Sequence, residues 1–252
     1  SYDEEVGCLG APPMIERMLK NGPKPRAVVV GEPSKMKVVT GHKGITFIVT
    51  EVTGHAVHSS QLHRGVSAIS VAAKLISWID AQTQKNRETC DPENGFDPPY
   101  TTLHCGVIHG GAAHNITASE CIFETDIRTV PGDVGREWVA RYKDYIEKEI
   151  LPPMKAISPN CAVTIREMAN VPGLAPEENG DAENLVRSLT GDNGTHLVVF
   201  ATEGGQFQER GLSTVICGPG SIDQAHKPDE FIEIAELAKC DQFIAGLCSK
   251  LA

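Results

Sequence analysis

The sequence lacks an apolar run of the roughly 18–20 residues that are needed to cross a bilayer. Its first residues, SYDEEVGC, contain neither the basic stretch nor the apolar stretch of a secretion signal. It also lacks a cluster of Lys and Arg, and its 33 acidic and 23 basic residues give a formal net charge of −10. We therefore expect a cytoplasmic protein that binds neither membranes nor the phosphate backbone of nucleic acids.

Paired cysteines are absent as well. The eight cysteines occur singly, without a C-x-x-C pair, and most lie in apolar runs such as STVICGPG. In a chain of this length, such cysteines are typical of reduced core thiols and not of a disulfide framework or a structural zinc site. With 40% hydrophobic residues among 252, the composition is that of a globular protein with a sizeable core.

The sequence pattern predicts two α/β segments that flank an inserted α+β domain. Residues 1–38 contain a helix, APPMIERMLKNG, and a buried strand, AVVVGEPS. Residues 39–169 show the order strand, helix, strand, strand, helix, strand, which is typical of a ferredoxin-like domain. The stretch KVVTGHKGITFIVTEVTG is predicted to be one long or hairpinned antiparallel strand. Residues 170–252 again show the alternating helix and strand pattern of an α/β fold, with a Gly-rich turn at TEGGQF.

Carboxylates and a histidine follow three separate segments of the predicted α/β part. Asp3, Glu4 and Glu5 are consecutive, and like charges this close remain ionised only if they are solvated or compensated by cations. Glu32 follows the strand AVVV and His226 follows STVIC, where the carboxyl ends of strands face a ligand crevice. Each residue alone also fits an exposed loop. Together, carboxylates and an imidazole suit zinc or cobalt.

A second group of polar residues lies in the inserted domain. It comprises His55 and His58 in GHAVHSS, His114 and Asn115 in GGAAHNIT, and Arg128 in DIR. Imidazole, amide and guanidinium groups can polarise a carbonyl or hold a carboxylate. Surface residues that cap a sheet explain the same pattern. The glycines of TEGGQF and CGPGS likewise have two explanations. They either form tight turns or let backbone N–H groups bind an anion.

Seven motifs together resemble a known family. D-E-E-V-G-C, G-E-P-S, G-H-K-G, G-H-A-V-H-S-S, G-G-x-x-x-N-I with D-I-R, T-E-G-G-Q-F and C-G-P-G-S-I-D-Q-A-H-K-P-D-E occur in the order found in the dinuclear-zinc amidohydrolases and peptidases. This family includes acetylornithine deacetylase, succinyl-diaminopimelate desuccinylase, aminoacylase and glutamate carboxypeptidase. The resemblance implies an α/β zinc-peptidase-like catalytic domain with an inserted ferredoxin-like lid and dimerisation domain. It further implies a homodimer that hydrolyses a small N-acyl amino acid, with N-acetyl-L-ornithine the expected substrate.

The resemblance also implies roles for individual residues of the α/β part. The complete enzymes hold two Zn²⁺ ions per active site, and Co²⁺ can replace Zn²⁺. Glu4 matches the general base that takes a proton from the attacking water. Glu5 and His226 match ligands of one metal ion, and Glu32 matches a ligand of the other.

Further roles concern substrate binding. His58 matches a lid histidine that reaches across the dimer to stabilise the oxyanion. Asn115 and Arg128 resemble lid residues that help to bind substrate. Gly218 and Gly220 resemble a loop near the carboxylate of the substrate.

The sequence departs from the family pattern in one respect. The family has a His-x-Asp motif and a later bridging aspartate ahead of D-E-E, and no H-x-D occurs in these residues. Three protein ligands are the usual minimum for a catalytic zinc site. We therefore expect this chain to be a C-terminal part of a deacetylase that is inactive, or nearly so, alone. Two alternatives stay open, namely hydrolysis of another N-acyl amino acid or dipeptide, and a non-catalytic dimerisation or binding module.

Overall fold

A computed structural model describes residues 1–251 of the chain. The chain forms two compact units. Unit 1 contains Ser1–Gly44 together with the chain from Val171 onward, and unit 2 contains Ile45–Asn170. Within the described residues, no helix combines the length and the apolarity that a membrane span requires.

The helices and strands follow one another along the chain. The first are α1 (Ala11–Asn21), β1 (Val28–Val30) and β2 (Val39–His42). The next are β3 (Gly44–Thr53), α2 (Ala68–Thr89), β4 (Thr102–Gly110), β5 (Glu120–Thr129), α3 (Gly135–Tyr145), α4 (Leu151–Ile157) and β6 (Ala162–Val171). The last are α5 (Asp181–Thr190), β7 (His196–Val198), α6 (Gly204–Gln208), β8 (Thr214–Ile216) and α7 (Ile234–Leu251).

Unit 1 contains a four-stranded mixed sheet with the order β1-β8-β2-β7. β1 is parallel to β8, and β2 is parallel to β7. β2 meets β8 in the antiparallel direction at Val39 and Ile216. Because β1 and β8 run the same way, the segments that follow Val30 and Ile216 leave the sheet at the same edge.

Both faces of this sheet are covered by helices. Neighbouring strand residues point to opposite faces, and the two cores of unit 1 follow this rule. Val38 and Val215 pack with residues of α5 and α7. The next residues, Val39 and Ile216, pack with residues of α1 and α6. A sheet buried on both faces needs apolar side chains at consecutive positions, which explains the unbroken apolar runs in the sequence.

Local sequence sets the ends of the first helix. Pro12 and Pro13 lie in the first turn of α1, where a missing N–H costs no helical hydrogen bond. Ile15 lies on its buried face, and the N–H of Gly22 closes the helix by donating to the carbonyl of Met18 at 3.0 Å. The predicted helix APPMIERMLKNG is confirmed.

Unit 2 contains a four-stranded sheet with the order β4-β5-β3-β6. With α2 after the first strand and α3 and α4 after the third, this is the predicted ferredoxin-like arrangement. Ser67 caps α2, because its Oγ accepts a hydrogen bond from the N–H of Ser70. The buried residues of α2 recur at helical spacing (Ala68, Val71, Ala72, Leu75 and Ile79) and belong to the single core of unit 2.

Two predictions about secondary structure are wrong. The stretch KVVTGHKGITFIVTEVTG is not one antiparallel strand but two strands in different sheets, because β2 joins unit 1 beside β7 and β3 joins unit 2. The stretch TEGGQF is not a plain turn but leads into the short helix α6. In both cases the residue pattern gives the local conformation only partly and does not identify the packing partner.

Candidate metal centre and active site

The amino-terminal segment of unit 1 brings Glu4 and Cys8 next to Glu203. One potential ligand atom from each residue lies within 4.8 Å of the other two, and Cys8 Sγ donates to Glu4 Oε1 at 3.5 Å. The N–H groups of Gly7 and Cys8 hold the turn, since both donate to the Glu4 carbonyl, at 3.0 and 2.9 Å. Asp3 and Cys8 have φ angles of 53° and 54°. Such strain in non-glycine residues is typical of functional sites.

Burial and nearby negative charges raise the pKa values of Glu4, Cys8 and Glu32. Burial is the main reason that the pKa of Glu4 is raised, and the charges of Glu5 and Glu203 add to it. Burial, followed by the charges of Glu4 and Glu203, raises the pKa of Glu32. Burial also raises the pKa of the Cys8 thiol far above its usual range, so Cys8 is a protonated donor. The excess negative charge favours a cation at this place.

Glu5 and His226 come from opposite ends of the chain and lie side by side. His226 Nε2 is 3.8 Å from Glu5 Oε2, and the side chains are 73% and 75% exposed. His226 has a φ of 59°. The structure therefore brings together two of the predicted metal ligands, with open space around both.

Hydrogen bonds tie the loop after β1 to the loop after β8. The N–H of Ser34 donates to the carbonyl of Gly218 at 3.1 Å, and the N–H of Gly218 donates back to Ser34 Oγ at 3.1 Å. The N–H of Lys35 donates to the carbonyl of Gly220 at 2.7 Å. These contacts fix the two loops that carry the predicted ligands Glu32 and His226.

Gly218 and Gly220 have packing roles in this arrangement. A Cβ at Gly218 would overlap the carbonyl oxygen of Gly31 on the neighbouring loop. Gly220 has a φ of 84°, and its N–H donates to Glu236 Oε2 at 3.3 Å. Their N–H groups are thus engaged within unit 1, and their contact with a substrate carboxylate remains a prediction.

The glycines of TEGGQF do not form a cradle for an anion. The N–H of Gly204 donates to Thr202 Oγ1 at 3.0 Å, and the N–H of Gly205 donates to His42 Nε2 at 3.3 Å. A Cβ at Gly205 would overlap the carbonyl oxygen of Pro172. These residues allow α6 to pack closely, and thereby place Glu203 in the carboxylate cluster.

The remaining predicted site residues lie in unit 2. His58 is exposed, and the N–H of the next residue, Ser59, donates to the carbonyl of Asn115 at 2.9 Å. The structure therefore brings the segments of His58 and Asn115 together. Arg128 lies on β5, and its Nε donates to Asp126 Oδ2 at 2.8 Å. The catalytic and binding roles of these three residues remain predictions.

The donor set of unit 1 fits a divalent metal ion. Carboxylate oxygens and imidazole nitrogens are common ligands of zinc and cobalt. After burial, repulsion by neighbouring carboxylates contributes to the raised pKa values of Glu4 and Glu32, and a nearby cation would relieve this repulsion. Glu5, Glu32 and His226 remain the predicted metal ligands, whereas the group of three potential ligand atoms found among the described residues belongs to Glu4, Cys8 and Glu203.

Sequence analysis missed two members of the cluster, Glu203 and Cys8. Glu203 has the same sequence context as Glu32, since it follows an apolar strand at the start of a Gly-containing loop. Cys8 lies in D-E-E-V-G-C, directly after the carboxylate triplet. The position of Cys8 is a signal that could have pointed to this residue, whereas the context of Glu203 does not show at which edge of the sheet it lies.

Comparison with known proteins identifies the larger part of unit 2. Residues 40–152 match the family described as the peptidase dimerisation domain. This part of the chain is therefore similar to peptidase dimerisation domains. Strands β3, β4 and β5 and helices α2 and α3 lie within the matched residues, whereas β6 follows them.

Curated relatives cover the rest of the chain. It is 31% identical over 244 residues to an acetylornithine deacetylase of Myxococcus xanthus, and the match covers 96% of this chain and 61% of the relative. It is 33% identical over 244 residues to an acetylornithine deacetylase of Erwinia tasmaniensis, with the same coverage. The chain thus resembles acetylornithine deacetylases over nearly its whole length and spans 61% of the length of these relatives.

Solved structures show the same fold. A tripeptidase of Staphylococcus aureus matches with a TM-score of 0.66 and 21% identity, covering 97% of this chain and 61% of that one. The aminopeptidase PepT of Bacillus cereus matches with a TM-score of 0.68, 18% identity and the same coverage. An M20 family metallo-carboxypeptidase of Sulfolobus solfataricus has a TM-score of 0.66 and 17% identity, covering 97% of this chain and 67% of that one. The predicted fold class is confirmed.

Proposed function

We propose that the protein is a homodimeric, metal-dependent amidohydrolase that converts N-acetyl-L-ornithine to L-ornithine and acetate. The observation that carries the proposal is the convergence of Glu5 and His226 from opposite ends of the chain, in a unit where partly buried carboxylates repel one another. The resemblance to amidohydrolases and peptidases supports hydrolysis of an amide bond. The relatives named acetylornithine deacetylase support this substrate.

The metal ligands in this chain would be Glu5, His226 and Glu32. A bound zinc or cobalt ion supplies a Lewis acid that polarises the amide carbonyl and lowers the pKa of a water molecule. Hydrogen bonds between Ser34 and Gly218 connect the loop of Glu32 to the loop that leads to His226.

Glu4 is the general base of the proposed reaction. It takes a proton from the attacking water and passes it to the nitrogen of the leaving amine. Burial and neighbouring charges raise its pKa, which brings it closer to the range in which a carboxylate exchanges protons efficiently near neutral pH. The thiol of Cys8 donates to Glu4 Oε1 and fixes its orientation.

Residues of unit 2 have proposed roles as well. His58 of the partner subunit stabilises the negative charge that develops on the amide oxygen. Asn115 and Arg128 bind the substrate, and Gly218 and Gly220 in unit 1 line its carboxylate. The match to the peptidase dimerisation domain supports the homodimer. Sedimentation with and without zinc, together with a metal assay, tests this assembly.

The first experiment measures acetate or succinate release from N-acetyl-L-ornithine, N-succinyl-diaminopimelate and N-acetyl-L-methionine. It uses this chain and the longest protein from its reading frame, both loaded with zinc. We expect activity in the longer protein, highest with N-acetyl-L-ornithine. Because no H-x-D ligand motif is present, we expect this chain alone to hold metal weakly and to turn over little substrate.

The Glu4→Gln variant tests the general base. Without a proton acceptor, we expect kcat to fall by about 10²–10⁴-fold, while the bound metal content stays the same. Glu16→Gln is the matched control, because Glu16 is an exposed carboxylate of unit 1 that pairs only loosely with Arg210, at 3.6 Å. If the longer, metal-loaded protein hydrolyses none of the three substrates, the proposed function is wrong and the protein is a dimerisation or binding module.

A further inference from the structure

Two buried oxygen atoms of unit 1 lack a hydrogen-bond donor. Among the residues whose side chains the structure describes, three buried side-chain atoms have no partner, namely Thr125 Oγ1, Glu203 Oε2 and Gln206 Oε1. The last two lie in the single motif T-E-G-G-Q-F. A buried acceptor without a donor destabilises the folded state, and more so if it is charged. Two such acceptors in one helical turn therefore point to a ligand that donates hydrogen bonds.

The two acceptors belong to residues three apart in the chain, at the start of α6. Glu203 immediately precedes the helix and Gln206 is its third residue, and residues three apart are neighbours on a helix surface. Gln206 is only 4% exposed, and the side chain of Glu203 is 12% exposed. Glu203 does not cap the helix. Its carboxylate lies instead beside Glu4 and Cys8.

The chemistry of the missing donor follows from the charges. Glu203 is a carboxylate whose Oε2 has no hydrogen-bond partner. The carboxylates of Glu4 and Glu32 increase the negative potential. A primary ammonium group carries one positive charge and three N–H donors, so it can donate to a carboxylate and to an amide oxygen at once.

We propose that Glu203 and Gln206 bind the side-chain ammonium of the substrate and thereby select cationic N-acyl amino acids. This inference rests on the proposed function and names the residues that set its substrate class. The side-chain nitrogen of ornithine lies about 5 Å from Cα when its four bonds of about 1.5 Å are extended. The carboxylates of Glu4 and Glu203 approach within 4.8 Å. One substrate molecule can therefore reach the general base and Glu203 together.

The experiment compares two substrates of nearly equal shape, N-acetyl-L-ornithine and N-acetyl-L-norleucine, in which a methyl group replaces the ammonium. For Glu203→Gln in the longest zinc-loaded protein, we expect the ratio of the two kcat/KM values to fall by about 10- to 100-fold, as for the loss of a hydrogen bond to a charged group. For Gln206→Met, which removes only a neutral acceptor, we expect about a 3- to 10-fold fall. Calorimetry with L-ornithine and L-norleucine measures the same preference without turnover.

Glu177→Gln is the matched control. The Glu177 carboxylate is in unit 1 and accepts hydrogen bonds from Gln208 and Ser213, at 3.1 and 2.6 Å. We expect this variant to keep the wild-type ratio even if its stability falls.

Three results would overturn the inference. An equal loss of activity on both substrates would assign Glu203 to catalysis in general. A loss of bound zinc in Glu203→Gln would make Glu203 a metal ligand. A wild-type protein that hydrolyses both substrates equally would refute cation selection and leave amide hydrolysis intact. By contrast, a wild-type protein that hydrolyses neither substrate refutes the proposed function, and calorimetry then decides on the ammonium site separately.

Discussion

In the part of the chain that the structure describes, strained backbone conformations of non-glycine residues and carboxylates with a raised pKa occur in unit 1 and not in unit 2. Among the described residues, every non-glycine residue with a positive φ lies in unit 1, and these are Asp3, Cys8, Lys35, Met36, Asn179, His226 and Asp229. Both carboxylates with a raised pKa, Glu4 and Glu32, lie there as well. Unit 1 thus contains conformations and charges that cost free energy, which is typical of a site whose ligand compensates for the cost.

Unit 2 is built as a scaffold. One continuous core joins α2, α3 and α4 to the sheet. Its ion pairs, such as Arg166–Glu51 and Lys148–Asp144, are exposed and therefore contribute little to stability. The comparison suggests that changes in unit 2 act through packing, whereas changes in unit 1 act through electrostatics and backbone geometry.

The largest effect is expected from a cavity in unit 2. Phe123 on β5 has no exposed surface, so Phe123→Ala should lower the free energy of unfolding by about 3–5 kcal/mol. Both tryptophans of the sequence, Trp78 and Trp138, lie in unit 2. Chemical denaturation followed by tryptophan fluorescence therefore reports on this unit alone.

The neighbouring residue on the same strand supplies the control. Ile122 is 36% exposed and points to the opposite face, so Ile122→Ala should lower the free energy of unfolding by about 1 kcal/mol or less. Equal midpoints for the Phe123 and Ile122 variants would show that unit 2 is not stabilised by a close-packed core.

Sequence patterns were sufficient for elements whose periodicity is local. The apolar spacing in α1 and α2, and the Pro and Gly residues at the ends of α1, predict both helices. Sequence patterns were insufficient where the structure depends on which strands pair in a sheet. Nothing in KVVTGHKGITFIVT shows that β2 pairs with β7 and that β3 belongs to another sheet, because both halves have the same β-branched composition.

The dependence on strand pairing also explains which site residues could be predicted from the sequence. Glu32 and the segment of His226 follow parallel strands that end at one edge, so the rule for carboxyl ends of strands places them together. Glu203 follows β7, which runs opposite to β1 and β8 because β2 is antiparallel to β8. That rule places Glu203 at the other edge. Only the course of the loop between β7 and α6 brings it to Glu4.

The second largest effect is a pH dependence confined to unit 1. Burial lowers the pKa of His42 from 6.5 to about 4. Its neutral ring donates from Nδ1 to the Lys43 carbonyl at 2.8 Å and accepts at Nε2 from the N–H of Gly205. The unfolded chain binds a proton at His42 more tightly than the folded chain does. The contribution of the neutral His42 ring to the free energy of unfolding is therefore complete above pH 6.5 and is lost as the pH falls. At pH 4 the loss is about 3 kcal/mol.

Hydrogen exchange of the β2 amides at pH 7 and pH 4, corrected for intrinsic rates, measures this loss. His42→Asn should be less stable at pH 7 and should lose about 3 kcal/mol less than wild type on going to pH 4. His63→Asn in unit 2, at an exposed position, is the control and should behave as wild type. An identical pH response in wild type and His42→Asn would show that a buried neutral imidazole does not distinguish unit 1.

The smallest effect separates backbone strain from helix capping within unit 1. Gly191 ends α5 with a φ of 72°, and Gly22 ends α1 with a φ of −140°. Both N–H groups close their helices, on Arg187 at 2.8 Å and Met18 at 3.0 Å. A Cβ meets nothing within 4 Å at Gly191 and one carbonyl oxygen at 3.4 Å at Gly22. Gly191→Ala should therefore cost about 1 kcal/mol through its left-handed conformation alone, and Gly22→Ala close to zero. Equal unfolding free energies, measured by circular dichroism, would show that unit 1 relaxes such strain and that its other positive φ angles store none.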